Sequence, residues 1–266
     1  MIWQWYLDPA LLAGLAGVTA LYLVAIGPRR DRFPGATPVG LWRVAAFLAG
    51  IATAALALVS PLHVLGERFL LSAHMVQHLL LTLAMPPLLL LGTPDWLLRP
   101  LLRLPIVPQV AGFLTSPVVA FLVFNGTFAL WHAPALYDLA LRVEWMHALM
   151  HQSFALTALL SWWPVLSPLP ELPRLSKPAQ VLYLFLQSLP PTIIGALITF
   201  ATIVLYPTYA TAPRLFGLSP LDDQQLAGLI MWVPGALVYL VALSIVFIAW
   251  LEGEETGRHP APGAQP

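Results

Sequence analysis

The sequence has no cysteine among its 266 residues. Disulfides, thiolate metal sites and cysteine nucleophiles are excluded together, and cysteine usage says nothing about the redox compartment. Charge is scarce as well. Only 9% of residues are Asp, Glu, Lys or Arg, where a soluble domain carries about 25%. Formal net charge is zero, so there is no basic surface to recruit nucleic acid. The single lysine, Lys177, lies outside the long apolar runs, which removes the Schiff-base chemistry a retinal protein needs. What is abundant is apolar surface, at 59% hydrophobic residues and a mean hydropathy of +0.81. A soluble core could not hide that much, so the chain reads as a polytopic membrane protein. The 10 Trp and 27 Pro fit aromatic belts and kinked spans.

A span needs roughly 20 apolar residues. Seven segments qualify, near 10–27, 42–62, 69–91, 115–132, 145–166, 179–204 and 226–250. Pro86, Pro87, Pro190, Pro191 and Pro234 fall inside them and should kink rather than end them. The basic "RRDR" at 29–32 follows the first run instead of preceding it, the reverse of a signal peptide, so the first run is expected to be retained. Nine Lys and Arg residues fall on one side of the expected topology and three (Arg68, Arg142, Arg214) on the other. The positive-inside rule then puts the N-terminus outside and the C-terminus in the cytoplasm. The expected fold class is all-α, a seven-span helical bundle over residues 1–251, with 252–266 a disordered cytoplasmic tail.

Six of the seven histidines collect at one end of this topology. "SAHMVQHLLL" carries His74 and His78, and "EWMHALMHQSF" carries His147 and His151. Both spans enter from outside, so the first histidine of the third span lies roughly 7 Å in and the second roughly 13 Å in, with the fifth span's pair at similar depth. Residues four apart share one helical face, so each pair is a two-nitrogen chelating face. His63 closes the second span and His132 the fourth, both at the same end; His259 lies in the tail. Neutral imidazole suits Zn, Cu, Fe and Ni, and thioether sulfur would favour Cu(I). Met75, Met146 and Met150 are interleaved with the pairs, and Met231 lies in the last span. The competing structural reading is ordinary: a lone membrane histidine often bonds a neighbouring helix, and Met is common apolar filler. Two matched pairs at one depth favour metal.

Other chemistries fit less well. A zinc protease wants Glu inside the His pair, and here Met-Val-Gln and Ala-Leu-Met intervene. One haem between the third and fifth spans would leave two histidines unexplained. "LDDQQL" puts Asp222 and Asp223 beside the last span. They are candidates to orient ligating imidazoles, or else a solvated helix N-terminus. "WHAPALYDLALR" reads as an interfacial segment with Trp131 and Tyr137 as belt residues. Arg99 and Arg103 read as cytoplasmic anchors. Gln180, Gln187 and Ser188 are the only polar hints of a path across.

Five stretches in order, "SAHMVQHLLLTLAMPPLLLLGTP", "WHAPALYDLALR", "HALMHQSFALTALLSWWPVL", "PPTIIGALITFA" and "DDQQLAGLIMWVPG", together resemble the multi-span cytochrome c oxidase assembly factor family CtaG. A single-span copper chaperone with essential cysteines has shared that name, and this cysteine-free chain is not similar to it. The resemblance implies a bacterial plasma-membrane protein that serves maturation of a haem–copper oxidase, with copper delivery its expected part. Its motif positions land on His74, His78, His147 and His151. The expected metal ligands are these four, with His63 and His132 as further ligands and Asp222, Asp223, Met75 and Met150 as supporting residues. Copper is the expected ion, ahead of zinc or haem. Expected partners are an oxidase subunit, a periplasmic copper chaperone and the lipid bilayer. No enzymatic role is expected. The alternatives are a membrane redox protein using haem or a dimetal centre, and a metal-free assembly scaffold.

Overall fold

The structure is a computed structural model and describes residues 3–258; His259 and the rest of the tail lie outside the described residues. Every regular element among the described residues is helical. Helix α1 (Pro9–Ile26) starts on an Asp8 cap, whose carboxylate accepts from Leu11 N at 2.7 Å, with Pro at the first position. Such a start satisfies an orphan N–H and uses a residue already shaped for a helix. Helix α2 (Leu41–Leu58) follows. Ser60 and Pro61 repeat the cap-and-proline start for the short α3 (Pro61–Arg68), so His63 sits on a separate helix rather than closing the second span.

The third span is composite. It runs through α4 (Leu71–Leu79), a π segment (Leu80–Ala84) and α5 (Met85–Gly92). Pro86 has no N–H for the Thr82 carbonyl one turn earlier. That carbonyl accepts instead from Trp162 Nε1 at 3.0 Å, and the π turn absorbs the mismatch. Two short helices, α6 (Asp95–Leu98) and α7 (Val107–Leu114), lead to α8 (Pro117–His132), which is bent 69° from α7. Then come α9 (Pro134–Arg142), α10 (Glu144–Leu166), α11 (Lys177–Thr199), α12 (Pro207–Thr211) and α13 (Pro220–Arg258). Helix α13 thus continues past Glu252, where the tail was expected to begin.

Five segments are long and apolar enough to cross a membrane, and six if the bent α7–α8 pair is one span. The expected fifth span forms α10, one continuous 23-residue helix. Its N-terminal half carries Glu144, His147, His151, Gln152 and Ser153, which dilute its apolar content. The burial pattern is that of a membrane protein. Leucines such as Leu21, Leu122 and Leu197 face outward, while all six described histidines and Gln77, Gln180 and Gln187 are buried. Polar groups inside and hydrocarbon outside suit a lipid solvent. Helices α11 and α13 pack at glycines: a Cβ on Gly228 would lie 2.7 Å from the Gly195 carbonyl. Small residues at a contact let membrane helices approach closely.

Candidate metal centre

The histidines converge because α10 packs along the third span, at the π segment and α5, which brings the His151 ring to 5.4 Å from that of His74. Helix α4 has no capping side chain of its own, since Leu70 occupies the cap. Asp223 of α13 supplies one. Its carboxylate accepts from Leu71 N at 2.7 Å, from Ser72 N at 3.2 Å and from Ser72 Oγ at 2.5 Å. Buried N–H groups at a helix start must find an acceptor. Asp223 therefore sets where α4 begins and, through it, the depth of His74 and His78.

His74, His147 and His151 bring one nitrogen each to within 4.8 Å of one another. His74 Nε2 and His151 Nε2 are 3.3 Å apart. This is hydrogen-bond distance between the two imidazoles, and it also matches the about 3.3–3.4 Å that separates two nitrogens bound at about 2.0–2.1 Å to one tetrahedral ion. His147 Nε2 is buried without a partner, where an uncompensated nitrogen is costly. The 3.3 Å gap is shorter than the about 4 Å between two axial imidazoles on one haem iron, twice a metal–nitrogen bond.

The network also sets tautomers. Tyr209 on α12 donates its hydroxyl proton to the Gly66 carbonyl at 2.5 Å, so it accepts from His74 Nδ1–H at 3.0 Å. The proton on Nδ1 leaves His74 Nε2 free as a lone pair facing His151. An oxygen on the second ring nitrogen is the usual means of aiming an imidazole at a metal. Tyr137 packs its ring 5.2 Å from that of His74. It is fully buried, and Trp131 is buried too, donating from Nε1 to Ser153 Oγ at 2.8 Å. The expectation that these two are interfacial belt residues is corrected: α9 folds back over the histidines and turns Tyr137 inward, and Trp131, on α8, is turned inward against α10. Gly66 is required as glycine: a Cβ there would lie 2.9 Å from His74 Cα.

His63 is beside the triad rather than in it. Gln77 donates from Nε2 to His63 Nδ1 at 3.0 Å, which places the His63 proton on Nε2, 3.8 Å from Glu67. Burial lowers His63 to about 4, with Arg68 adding to the effect, so this contact is not an ion pair near neutral pH. Glu67 also lies 3.9 Å from His147 Nδ1. Burial raises its pKa, as does Glu144, against the opposing pull of Arg68. Glu67 is 24% exposed at its side chain and is the carboxylate nearest the cluster. Its position four residues after His63 is the signal that sequence reading passed over. His78 and His132 lie on the other flank, with ring centroids 5.7 Å apart.

Asp222 and Asp223 do not orient histidines. Asp222 bonds Ser219 Oγ at 2.6 Å at its own helix start, and Asp223 caps α4; the physical reason is that both sit at helix N-termini, where free N–H groups compete for carboxylates. Gln224 and Gln225 stitch the preceding loop, taking Leu205 N at 2.6 Å and reaching the Ala201 carbonyl at 3.3 Å. Met75, Met150 and Met231 belong to the buried apolar cluster around Phe128 and Phe154. At the other end of the bundle Arg99 pairs with Asp95 and Glu171, both at 2.9 Å. Gln187 is bonded by Asn125 Nδ2 at 3.0 Å, so it closes a helix contact.

The family model for the cytochrome c oxidase caa3 assembly factor matches residues 20–253. An uncharacterized protein of Mycobacterium leprae (strain TN) is 26% identical over 262 residues, covering 92% of this chain and 39% of its own length. An uncharacterized protein of Mycobacterium bovis (strain ATCC BAA-935 / AF2122/97) is 27% identical over 256 residues, 90% of this chain and 38% of its own length. The chain thus spans about two-fifths of these curated relatives. No solved structure matches. With most of its length matched, from the end of α1 into α13, the chain belongs to the cytochrome c oxidase caa3 assembly factor family.

Proposed function

We propose that the chain holds copper for a maturing haem–copper oxidase, with His74, His147 and His151 as ligands. The observation that carries this reading is the 3.3 Å approach of His74 Nε2 to His151 Nε2, beside the unpartnered His147 Nε2. Imidazole nitrogens with an open position accept and release an ion, as a cargo site must. The residues between the paired histidines, Met-Val-Gln on α4 and Ala-Leu-Met on α10, include no Glu, so the reading is one of holding an ion and assigns no enzymatic step. The family supports service to cytochrome c oxidase; the partner would be an oxidase subunit, with a periplasmic copper chaperone as the donor.

In this reading α10 is a seventh span, enclosed enough by α5, α8 and α9 to carry its polar face. The excess of Lys and Arg at the end opposite the histidines supports a cluster that faces the outside of a bacterial plasma membrane. An ion could then be loaded without crossing the bilayer.

The test is elemental analysis of the purified full chain after loading with Cu(I) and washing. The wild type should retain copper, and His74→Ala and the His147→Ala/His151→Ala double variant should lose the triad's share. Copper retention unchanged in both variants would overturn the assignment. An intense Soret band in the purified protein would favour haem instead.

A further inference from the structure

Outside the triad, the largest concentration of unpartnered ligating atoms is at His78 and His132. The His132 ring donates from Nδ1 to the Phe128 carbonyl at 2.7 Å, since a carbonyl can only accept. Its Nε2 is therefore a lone pair, buried and without a partner. His78 is buried with both ring nitrogens unpartnered. A neutral imidazole left this way forfeits a donor and an acceptor at once, which interiors rarely tolerate without a ligand or water. The two rings come from different helices and stand nearly perpendicular, at 80°, with centroids 5.7 Å apart. An ion about 2 Å from one nitrogen of each ring puts two imidazole centroids about 5–6 Å apart.

We propose that His78 and His132 form a second, inner ion position, distinct from the triad and adjoining it through His74 and His151. The proposal rests on the reading of the triad as a copper-holding site and adds a second place for the same cargo. The remaining surroundings are aromatic and apolar: Phe154 packs 4.7 Å from His78 and Phe128 4.2 Å from His132, centroid to centroid. Two nitrogens in a dry pocket cannot supply the four ligands zinc takes. Cu(I), a closed-shell ion that accepts two nitrogens in an open-angled pair, fits this chemistry. His78 lies 4.4 Å from His74 and 5.7 Å from His151, ring to ring. An ion can therefore pass between the positions by exchanging one imidazole for the next, with no change in its charge or oxidation state.

The experiment is anaerobic titration of the full chain in detergent with Cu(I) under ascorbate, against a competing chelator. The wild type should bind two equivalents. His132→Phe should bind one, and His147→Ala should keep one, held by the inner pair. One equivalent in the wild type, unchanged in His132→Phe and lost in His147→Ala, would overturn the inner position and leave the triad standing. No equivalent in the wild type would overturn both. X-ray absorption on the wild type needs no variant: at two equivalents the mean nitrogen count per copper should fall between two and three. A mean of three or more at saturation would overturn the proposal.

Discussion

His74 and His78 on α4, and His147 and His151 on α10, share one spacing, and each pair starts three residues into its helix. The structure treats them differently. Both α10 histidines enter the triad, whereas on α4 only His74 does, and His78 turns to His132. At matched depth, His78 and His151 rings lie 5.7 Å apart, yet His151 aims Nε2 at His74 on the diagonal. Spacing of four makes a chelating face. Which donors meet across two such faces depends on the offset and rotation of the helices, and these are set by contacts elsewhere. On α4 the contacts are Asp223 at the helix start and Tyr209 on the ring; on α10 they include Trp131 of α8, which donates to Ser153 Oγ at 2.8 Å, and Trp162, which donates to the Thr82 carbonyl at 3.0 Å.

Removing the anchor of α4 should break the contrast most severely. Asp223→Ala leaves two buried backbone N–H groups and the Ser72 hydroxyl without their acceptor. Charge-assisted bonds of this kind contribute about 1.5–3 kcal/mol each, so stability should fall by about 3 kcal/mol or more. Thermal unfolding of the purified protein reads the loss, and copper held through His74 and His78 should weaken with it. A variant as stable as the wild type would show that α4 is positioned by packing alone.

Tyr209→Phe is a finer cut, confined to the aim of His74. Losing an outer partner of a ligating imidazole typically costs about 10–100-fold in metal affinity, and about tenfold is expected here, in competition titrations at the triad. The inner His78–His132 position should be nearly untouched, which separates an aiming defect from general unfolding. The smallest effect belongs to Asp222→Ala, beside the anchor in sequence but bonded only to exposed Ser219. It should cost about 0.5–1 kcal/mol as a surface cap and leave copper binding unchanged. Equal losses in the Asp222 and Asp223 variants would contradict the division of labour between these neighbours.

Much of the architecture was legible because lipid makes the code coarse. A helix in hydrocarbon must satisfy its own backbone, so long apolar runs become helices, and α1, α2, α11 and α13 lie where the runs predict. The histidine pairs were legible for the same reason: a spacing of four has one meaning on a helix. The break at Ser60–Pro61 was readable as a cap and proline, yet the apolar run through Leu62 hid it, so His63 was joined to the wrong helix. Tyr137 looked interfacial because an amphipathic ring suits that level; only the fold of α9 over the cluster turns it inward.

The sequence by itself determined an all-helical membrane protein with imidazoles concentrated at one end, because composition and helical periodicity are local properties. Only the tertiary structure decided that three of those imidazoles bring their nitrogens within 4.8 Å of one another and that two others lie ring to ring beside them. It also decided that Asp223 caps a helix 152 residues away and that Tyr209 sets the proton on His74. The physical reason is range. Burial and periodicity are written residue by residue, but a metal's bite of a few ångströms depends on the offset between helices, and that offset is set by hydrogen bonds between residues far apart in the chain.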